Sequence, residues 1–220
     1  MNPASHLIQR LNELGNEHDA LAVAKYHKVN RIYLGVRVPV ITELAKAFWH
    51  SYSEQDLIST CEELWATDIA EARVLVGKLL EVRRFKNIAE VWSFINRIKS
   101  EFDAWAIADH LEKGAKYCIL SDEKRLDELE SDWLTHPNFW VRRACLVYTL
   151  AYTKPERCPE RVLGWAAEMV DDHEWFIQKA IGWWLRELSK HNPNRVVDFL
   201  QLYDSRMRSF AVKEASKYLL

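Results

Sequence analysis

Glycine and proline are scarce, at six each in 220 residues. An all-β chain needs many turns, and turns draw on these two residues, so a sandwich or barrel is excluded. No G-x-G-x-x-G or G-x-x-x-x-G-K stretch occurs, which removes the dinucleotide and phosphate-loop classes. The four cysteines, Cys61, Cys118, Cys145 and Cys158, form no C-x-x-C pair. They read as reduced, mostly buried thiols of a cytoplasmic protein. Eight histidines show neither His-x-x-x-His nor H-E-x-x-H spacing, so no metal site is expected. G-x-S-x-G is absent, and no cysteine accompanies a histidine in a nucleophile pattern. No basic-then-apolar leader opens the sequence, and no run is apolar enough to span a membrane. The expectation is a soluble, cytoplasmic, monomeric protein without cofactor. Basic excess is missing as well: 30 Lys+Arg stand against 32 Asp+Glu, a net charge of −2. That counts against nucleic-acid binding, although a basic stripe on one face can coexist with an acidic back.

What the chain has is helix and tryptophan. It is 49% hydrophobic with ten tryptophans, a surplus that suits both core packing and stacking on flat or cationic groups. Apolar spacing is helical almost throughout. Helices are predicted over 3–14, 19–27, from Pro39, from Ser53, over 69–84, 88–98, from Asp103, 122–134, 139–152, 159–170, 174–190, from Asn192–Pro193, and 206–218. Asp103 and Ser121 are read as N-caps, and Pro39 and Pro193 as first-turn prolines. No stretch is read as a strand. Ala144, Ala180 and Ala215, spaced by about 35 residues, each open an amphipathic helix beside a charge, as Ala72 also does. That period suits two-helix repeats, which stack because one pair cannot bury its apolar face alone. The fold is therefore expected to be all-α, a curved α-solenoid of stacked HEAT-like helix pairs with a concave face, as one domain over 1–220. Arg143, Lys179 and Lys213 would recur on equivalent faces, and such a row of cations could track a phosphate backbone.

One pair stands out. Trp105 and Asp109 are four apart, so a helix places them on one face. An indole face and a carboxylate together suit a cation. By itself W-x-x-x-D is weak, since many helices carry a buried tryptophan and an exposed aspartate. Trp183 and Trp184 point about 100° apart on a helix, so one of them belongs to the core. Arg142 and Arg143 alone could be a solvated helix face. Composition and spacing stop at an α-solenoid that could serve as a binding platform.

Five segments carry more. Ala24–Lys25–Tyr26 followed by Tyr33–Leu34–Gly35–Val36–Arg37–Val38–Pro39 resembles the A-R-Y…F-L-G-I-x-x-P segment of the AlkD family of bacterial DNA alkylation-repair glycosylases. Trp105-x-x-x-Asp109 is similar to that family's W-D-x-V-D motif. Phe139–Trp140–Val141–Arg142–Arg143–Ala144 is similar to its W-L-x-R-A-A helix. Phe176–Ile177–Gln178–Lys179–Ala180–Ile181–Gly182–Trp183 is the most specific match. Lys213–Glu214–Ala215 with Lys217 is similar to its closing K-R-E-A-x-K segment. The resemblance covers nearly the whole chain. The sequence departs from the family pattern at Ala104, Ala106 and Tyr117.

The resemblance implies HEAT-like repeats and hydrolysis of the N-glycosidic bond of cationic alkylated purines, such as 3-methyladenine and 7-methylguanine, in double-stranded DNA. It implies a catalytic carboxylate at Asp109, with Trp105 and Trp183 flanking the lesion's deoxyribose and the lesion left stacked. It places Arg143 and Tyr26 against DNA. Lys179, Arg186, Lys213 and Lys217 are further candidate DNA contacts. No lysine is placed as a Schiff-base nucleophile, so no lyase activity is expected. Two other classes stay open: a non-catalytic protein that binds bent or branched DNA, and a protein-binding solenoid. A basic stripe through Arg143, Arg186, Lys213 and Lys217 would favour the DNA readings, and an acidic face the protein-binding one.

Overall fold

A computed structural model describes residues 2–82 and 84–219. Met1, Arg83 and Leu220, which the sequence readings included, lie outside the described residues. The chain divides into two compact units, Met1–Ser121 and Asp122–Leu220. The described residues are helical, with one isolated bridge between Ile32 and Ile69. No helix among them is long and apolar enough to cross a membrane.

The first unit holds α1 (Pro3–Glu13), α2 (Glu17–His27), α3 (Val38–Ser51), α4 (Leu57–Ala66), α5 (Ala70–Val82), α6 (Ile88–Ile98), α7 (Trp105–Ala108) and α8 (Glu112–Ser121). The second holds α9 (Arg125–Glu128), α10 (Phe139–Tyr148), α11 (Glu160–Glu168), α12 (Trp175–Ser189), α13 (Pro193–Tyr203) and α14 (Ser209–Ala215). Asparagines start several of them. Asn2, Asn16, Asn138 and Asn192 each accept a hydrogen bond from a first-turn amide, supplying partners that the helix cannot. Pro3 and Pro193 occupy first-turn positions, where a missing N–H costs nothing.

Two expected caps fall elsewhere. Asp103 does not cap α7; Ala104 stands at the N-cap without a side-chain bond, because Asp103 is drawn to Arg31 instead. Ser121 ends α8, donating to the Tyr117 carbonyl. The stretch expected as one helix over 122–134 is the short α9 followed by a wider π turn, Leu129–Trp133.

The repeat appears in side-chain ties at separations of 34 to 37 residues. In the first unit Arg31 donates to Asp68, 37 residues on, and Trp65 Nε1 to Glu101, 36 residues on. In the second, Arg157 pairs with Glu123, Arg161 with Asp127 and Arg195 with Glu160, at separations of 34, 34 and 35. The buried Trp184 ring faces the Thr149 carbonyl at a separation of 35. Exposed ion pairs add little stability; what they mark is register between successive helix pairs. The spaced alanines 72, 144, 180 and 215 are all buried, which lets those helices approach closely. Their neighbouring charges do not share one environment. Arg143 is buried, whereas Lys179 and Lys213 are exposed, so a row of equivalent exposed cations is not what the structure holds.

Between α2 and α3 the chain is non-helical and is pinned by Glu71. Its buried carboxylate accepts from the amides of Leu34 (3.0 Å) and Gly35 (2.7 Å), so a costly buried charge is met by two donors. Gly35 has φ +76°, and a Cβ there would lie 2.1 Å from the Asn16 carbonyl oxygen. Gly35→Ala is expected to cost at least about 2 kcal/mol, from left-handed strain and overpacking together; urea unfolding measures it. Cys61, Cys118 and Cys145 are buried and Cys158 is exposed. A thiol reagent should therefore modify one cysteine quickly in the native protein and all four only after unfolding.

Candidate functional site

The first unit's candidates gather around a helix only four residues long. Trp105 opens α7, and the chain tightens into a 3-10 turn over Asp109–Leu111. The Asp109 amide donates to the Trp105 carbonyl, which places the two residues one turn apart on the same face. Both side chains are half-buried. A four-residue helix has no stability of its own, so packing holds it. Ile107, Ala108 and Leu111 are buried beneath it. From the other side α5 comes very close: a Cβ on Gly77 would lie 2.5 Å from the His110 carbonyl oxygen. Only glycine allows this approach, and it seats the turn that carries Asp109.

Trp105 stands in an aromatic cluster. Tyr26 meets it edge-on at 6.4 Å and is 68% exposed. The His27 ring lies 5.6 Å from Trp105 and stacks parallel on Tyr33 at 6.4 Å. Arg31 holds the entrance to α7: its guanidinium contacts Asp103 Oδ2 at 2.6 and 2.7 Å and Asp68 at 2.8 Å. A cavity of about 290 Å³ opens beside Trp105, walled by residues that include Val36, Val74, Ile107 and His110. Sequence reasoning singled out Tyr26 and Trp105 but missed His27, Arg31 and His110. Arg31 and Asp103 are 72 apart in the chain, and no local pattern links them.

Burial pushes both histidines below the usual imidazole range. For His27 a smaller opposing effect comes from Asp103, and for His110 from the Ala106 carbonyl. His110 Nδ1 lies 2.6 Å from that carbonyl, so Nδ1 donates and fixes the tautomer.

The second unit carries the other candidates on α10, α12 and α14. Trp184 is fully buried and Trp183 is half-exposed, so Trp184 is the core member of the pair. Six of the ten tryptophans are buried, and Trp105 and Trp183 are two of the three that are half-exposed. Gly182 precedes Trp183 and admits α14, since a Cβ there would lie 2.8 Å from the Ala211 carbonyl oxygen. Arg143, 4% exposed, donates to the Phe176 carbonyl at 2.9 Å and so ties α10 to the start of α12. Arg142 is bound to Asp172 at 2.8 Å. Arg186 is engaged by Glu187 at 3.0 Å and also by Glu214. Lys179, Lys213 and Lys217 are exposed, with the Lys179 ammonium 4.7 Å from the centre of the Trp175 ring. The expected basic stripe is thus interrupted: its arginines are occupied by partners within the protein, and its lysines reach solvent. No group of three or more side chains able to hold a metal ion occurs among the described residues.

The sequence profile of the family described as DNA alkylation repair enzyme matches residues 7–219. This chain belongs to that family. Among solved structures, a predicted DNA alkylation repair enzyme from Enterococcus faecalis is similar over 93% of this chain and 96% of that one, with 25% identity and a TM-score of 0.78. AlkD2 from Streptococcus mutans covers 91% of this chain and 98% of its own, at 16% identity and a TM-score of 0.61; at that identity the likeness is one of fold. No curated protein sequence matches the chain. Family membership places the chain in DNA alkylation repair, with DNA as the substrate.

Two expectations follow from the geometry. Gly77→Ala should cost about 1–3 kcal/mol through overpacking and displace the Asp109 turn, which a denaturation curve and a repair assay would read together. His27 and His110 are neutral in the folded protein at pH values where an unfolded chain has begun to protonate them. Stability should therefore be fully present above their ordinary pKa of about 6.5 and fall as pH drops below it. A lower melting temperature at pH 5.5 than at 7.5, with the difference reduced in His110→Gln, is the expected result.

Proposed function

We infer that the chain is a monofunctional DNA glycosylase that hydrolyses the N-glycosidic bond of cationic alkylated purines in duplex DNA. The observation that carries this reading is the seating of Trp105 and Asp109 on one half-exposed face, with the aspartate's turn fixed by Gly77.

The chemistry asks little of acid catalysis. Alkylation at a ring nitrogen leaves the base cationic, so it departs as a neutral molecule, taking the electron pair of the C1′–N bond. Positive charge then develops on the deoxyribose, as in glycoside hydrolysis. The Asp109 carboxylate stabilises that charge and orients the water whose oxygen bonds to C1′. The water's proton passes to solvent or to the carboxylate, leaving an abasic site and the free base. The indole face of Trp105 attracts the cationic sugar, and the family resemblance gives Trp183 the same part. The reading assigns no lysine as a Schiff-base nucleophile and so carries no strand cleavage by lyase chemistry.

Binding to the backbone falls to the exposed lysines Lys179, Lys213 and Lys217 and to Tyr26. Arg143 and Arg186 act as positioning groups, because their guanidiniums are already engaged within the protein. Arg143 holds the start of α12, which carries Trp183. The protein works as a monomer in the cytoplasm, wherever DNA is exposed to alkylation.

Asp109→Asn should reduce base release from methylated duplex DNA by about 10²-fold or more and leave DNA affinity within a few-fold; chromatography with mass detection reads the released base. Release by the variant at the wild-type rate would refute the role of the carboxylate. Tight binding with no release by the wild type would replace the reading with a non-catalytic DNA-binding one. Each lysine contributing a phosphate contact adds about 0.9 to the slope of log affinity against log salt, so Lys213→Ala should flatten that slope by about one unit.

A further inference from the structure

A crevice of about 210 Å³ lies between the end of α5 and α8. Gly114 brings the two helices into contact there, since a Cβ on it would lie 2.7 Å from Leu80 Cβ. Arg84 lines the crevice from just past α5, and Lys113, Lys116 and Tyr117 line it from α8. Tyr117, where the sequence departs from the family pattern, is seated edge-on against buried Phe85 at 5.1 Å. The Arg84 guanidinium lies over the Tyr117 ring, 5.5 Å from its centre, and has no ion-pair or hydrogen-bond partner among the described residues. Lys113 is held by Glu81, which Lys78 also contacts, and Lys116 by Glu112 at 2.7 Å. Four cations thus stand against two carboxylates, a local excess of positive charge in a chain whose net charge is −2.

Such an excess calls for an anion, and the lysines' present partners do not close the site. Exposed ion pairs are weak, and an ammonium carries three donors, so each lysine can reach a further acceptor. Arg84 is directed by the ring beneath it and keeps its guanidinium open for a two-point contact. The class of anion follows from what shares the face. Along the run from Asp109 to Leu120, the accessible positions include Asp109, Lys113, Lys116 and Tyr117, while Leu111, Gly114, Ala115 and Cys118 are buried. The cations therefore continue the outward face that carries Asp109. From Asp109 to Lys116 the helical rise is roughly 11 Å, about three nucleotides of a DNA strand at about 3.4 Å each. We propose that Arg84, Lys113 and Lys116 form a site for two adjacent backbone phosphates of duplex DNA, about three nucleotides along the strand from the one that meets Asp109. The site takes DNA as the family's substrate, and its distance from the lesion rests on the glycosylase reading.

The test uses the full-length protein and a labelled duplex without a lesion, so it does not depend on turnover; fluorescence anisotropy gives the affinity over a salt series. The triple variant Arg84→Gln/Lys113→Gln/Lys116→Gln should flatten the slope of log affinity against log salt by about two units, at about 0.9 per phosphate. Glu81→Gln removes one of the opposing carboxylates and should strengthen binding, an effect that loss of structure does not produce. Tyr117→Ala should weaken binding about as much as Arg84→Gln, with Tyr117→Phe, which keeps the ring, restoring it. Arg97→Gln, at an exposed and paired cation on α6, is the control and should leave the slope unchanged. Ethylation of single phosphates in a duplex with one 7-methylguanine should interfere with wild-type binding about three nucleotides from the lesion, and that interference should vanish in the triple variant. An unchanged slope in the triple variant overturns the proposal and leaves the patch to an acidic protein partner; weaker binding by Glu81→Gln or an equal change in Arg97→Gln also overturns it. Weaker binding by the triple variant with no base release by the wild type keeps the phosphate site and defeats the glycosylase reading alone. Base release by the wild type with an unchanged slope in the triple variant defeats the phosphate site alone.

Discussion

The guanidinium of Arg31 is the tie on which the first unit's site depends. The ten or so residues between α2 and α3 form no helix and lend the chain a single bridge, so they cannot hold themselves. Arg31 anchors them at one end to Asp68, just before α5, and at the other to Asp103, just before α7. Glu71, at the first turn of α5, grips the Leu34 and Gly35 amides from the opposite side. The result is that α2 with Tyr26 and His27, and α7 with Trp105, are fixed to the same helix. Removing either carboxylate would leave a largely buried charge or unpaired donors, so the arrangement has little freedom to relax part-way.

Much of this fold could be read in the sequence, and the parts that could not have a common cause. Long amphipathic helices such as Ile88–Ile98, and those opened by an asparagine with proline after it, follow from spacing and capping alone. The repeat showed in the spaced alanines, and the structure gives it substance through side-chain ties about 35 residues apart. Asp103 shows the limit. As a polar residue just before a helix it looks like a cap, and locally it is well placed to be one. A guanidinium 72 residues away is a stronger partner than an amide two residues on, and nothing in the neighbouring sequence announces it. Arg143 and Arg186 failed as exposed cations for the same reason: their partners, the Phe176 carbonyl and Glu214, are supplied by packing. Trp105, Asp109 and Trp183 are candidates only through the family resemblance, since a tryptophan four residues from an aspartate says little alone.

The near-neutral net charge takes on meaning once the cations are sorted. Arg157, Arg161, Arg195 and Arg206 of the second unit are each paired with a carboxylate one repeat away. Those pairs set register between successive repeats and contribute little field beyond them. Lysines are left to face solvent, and a flexible ammonium is a tolerant partner for phosphate, whereas a bidentate guanidinium demands geometry.

The position of Asp109 is a property of tertiary structure rather than of its helix. Four residues of α-helix followed by a 3-10 turn would not persist in isolation. They persist here because buried Ile107, Ala108 and Leu111 anchor one side and α5 closes on the other through Gly77. The same device recurs in the second unit, where Gly182 lets α14 press against α12 one residue before Trp183. In both units a glycine contact between backbones lies next to a half-exposed side chain. Backbone in contact with backbone has no rotamers to yield, so it fixes an adjacent side chain more firmly than packing through long side chains would. In the glycosylase reading proposed above, catalysis by a fixed carboxylate requires that firmness, because a group that must reorient at the transition state loses the advantage of being charged beforehand. In that reading the two glycines belong to the functional design as much as the residues they seat.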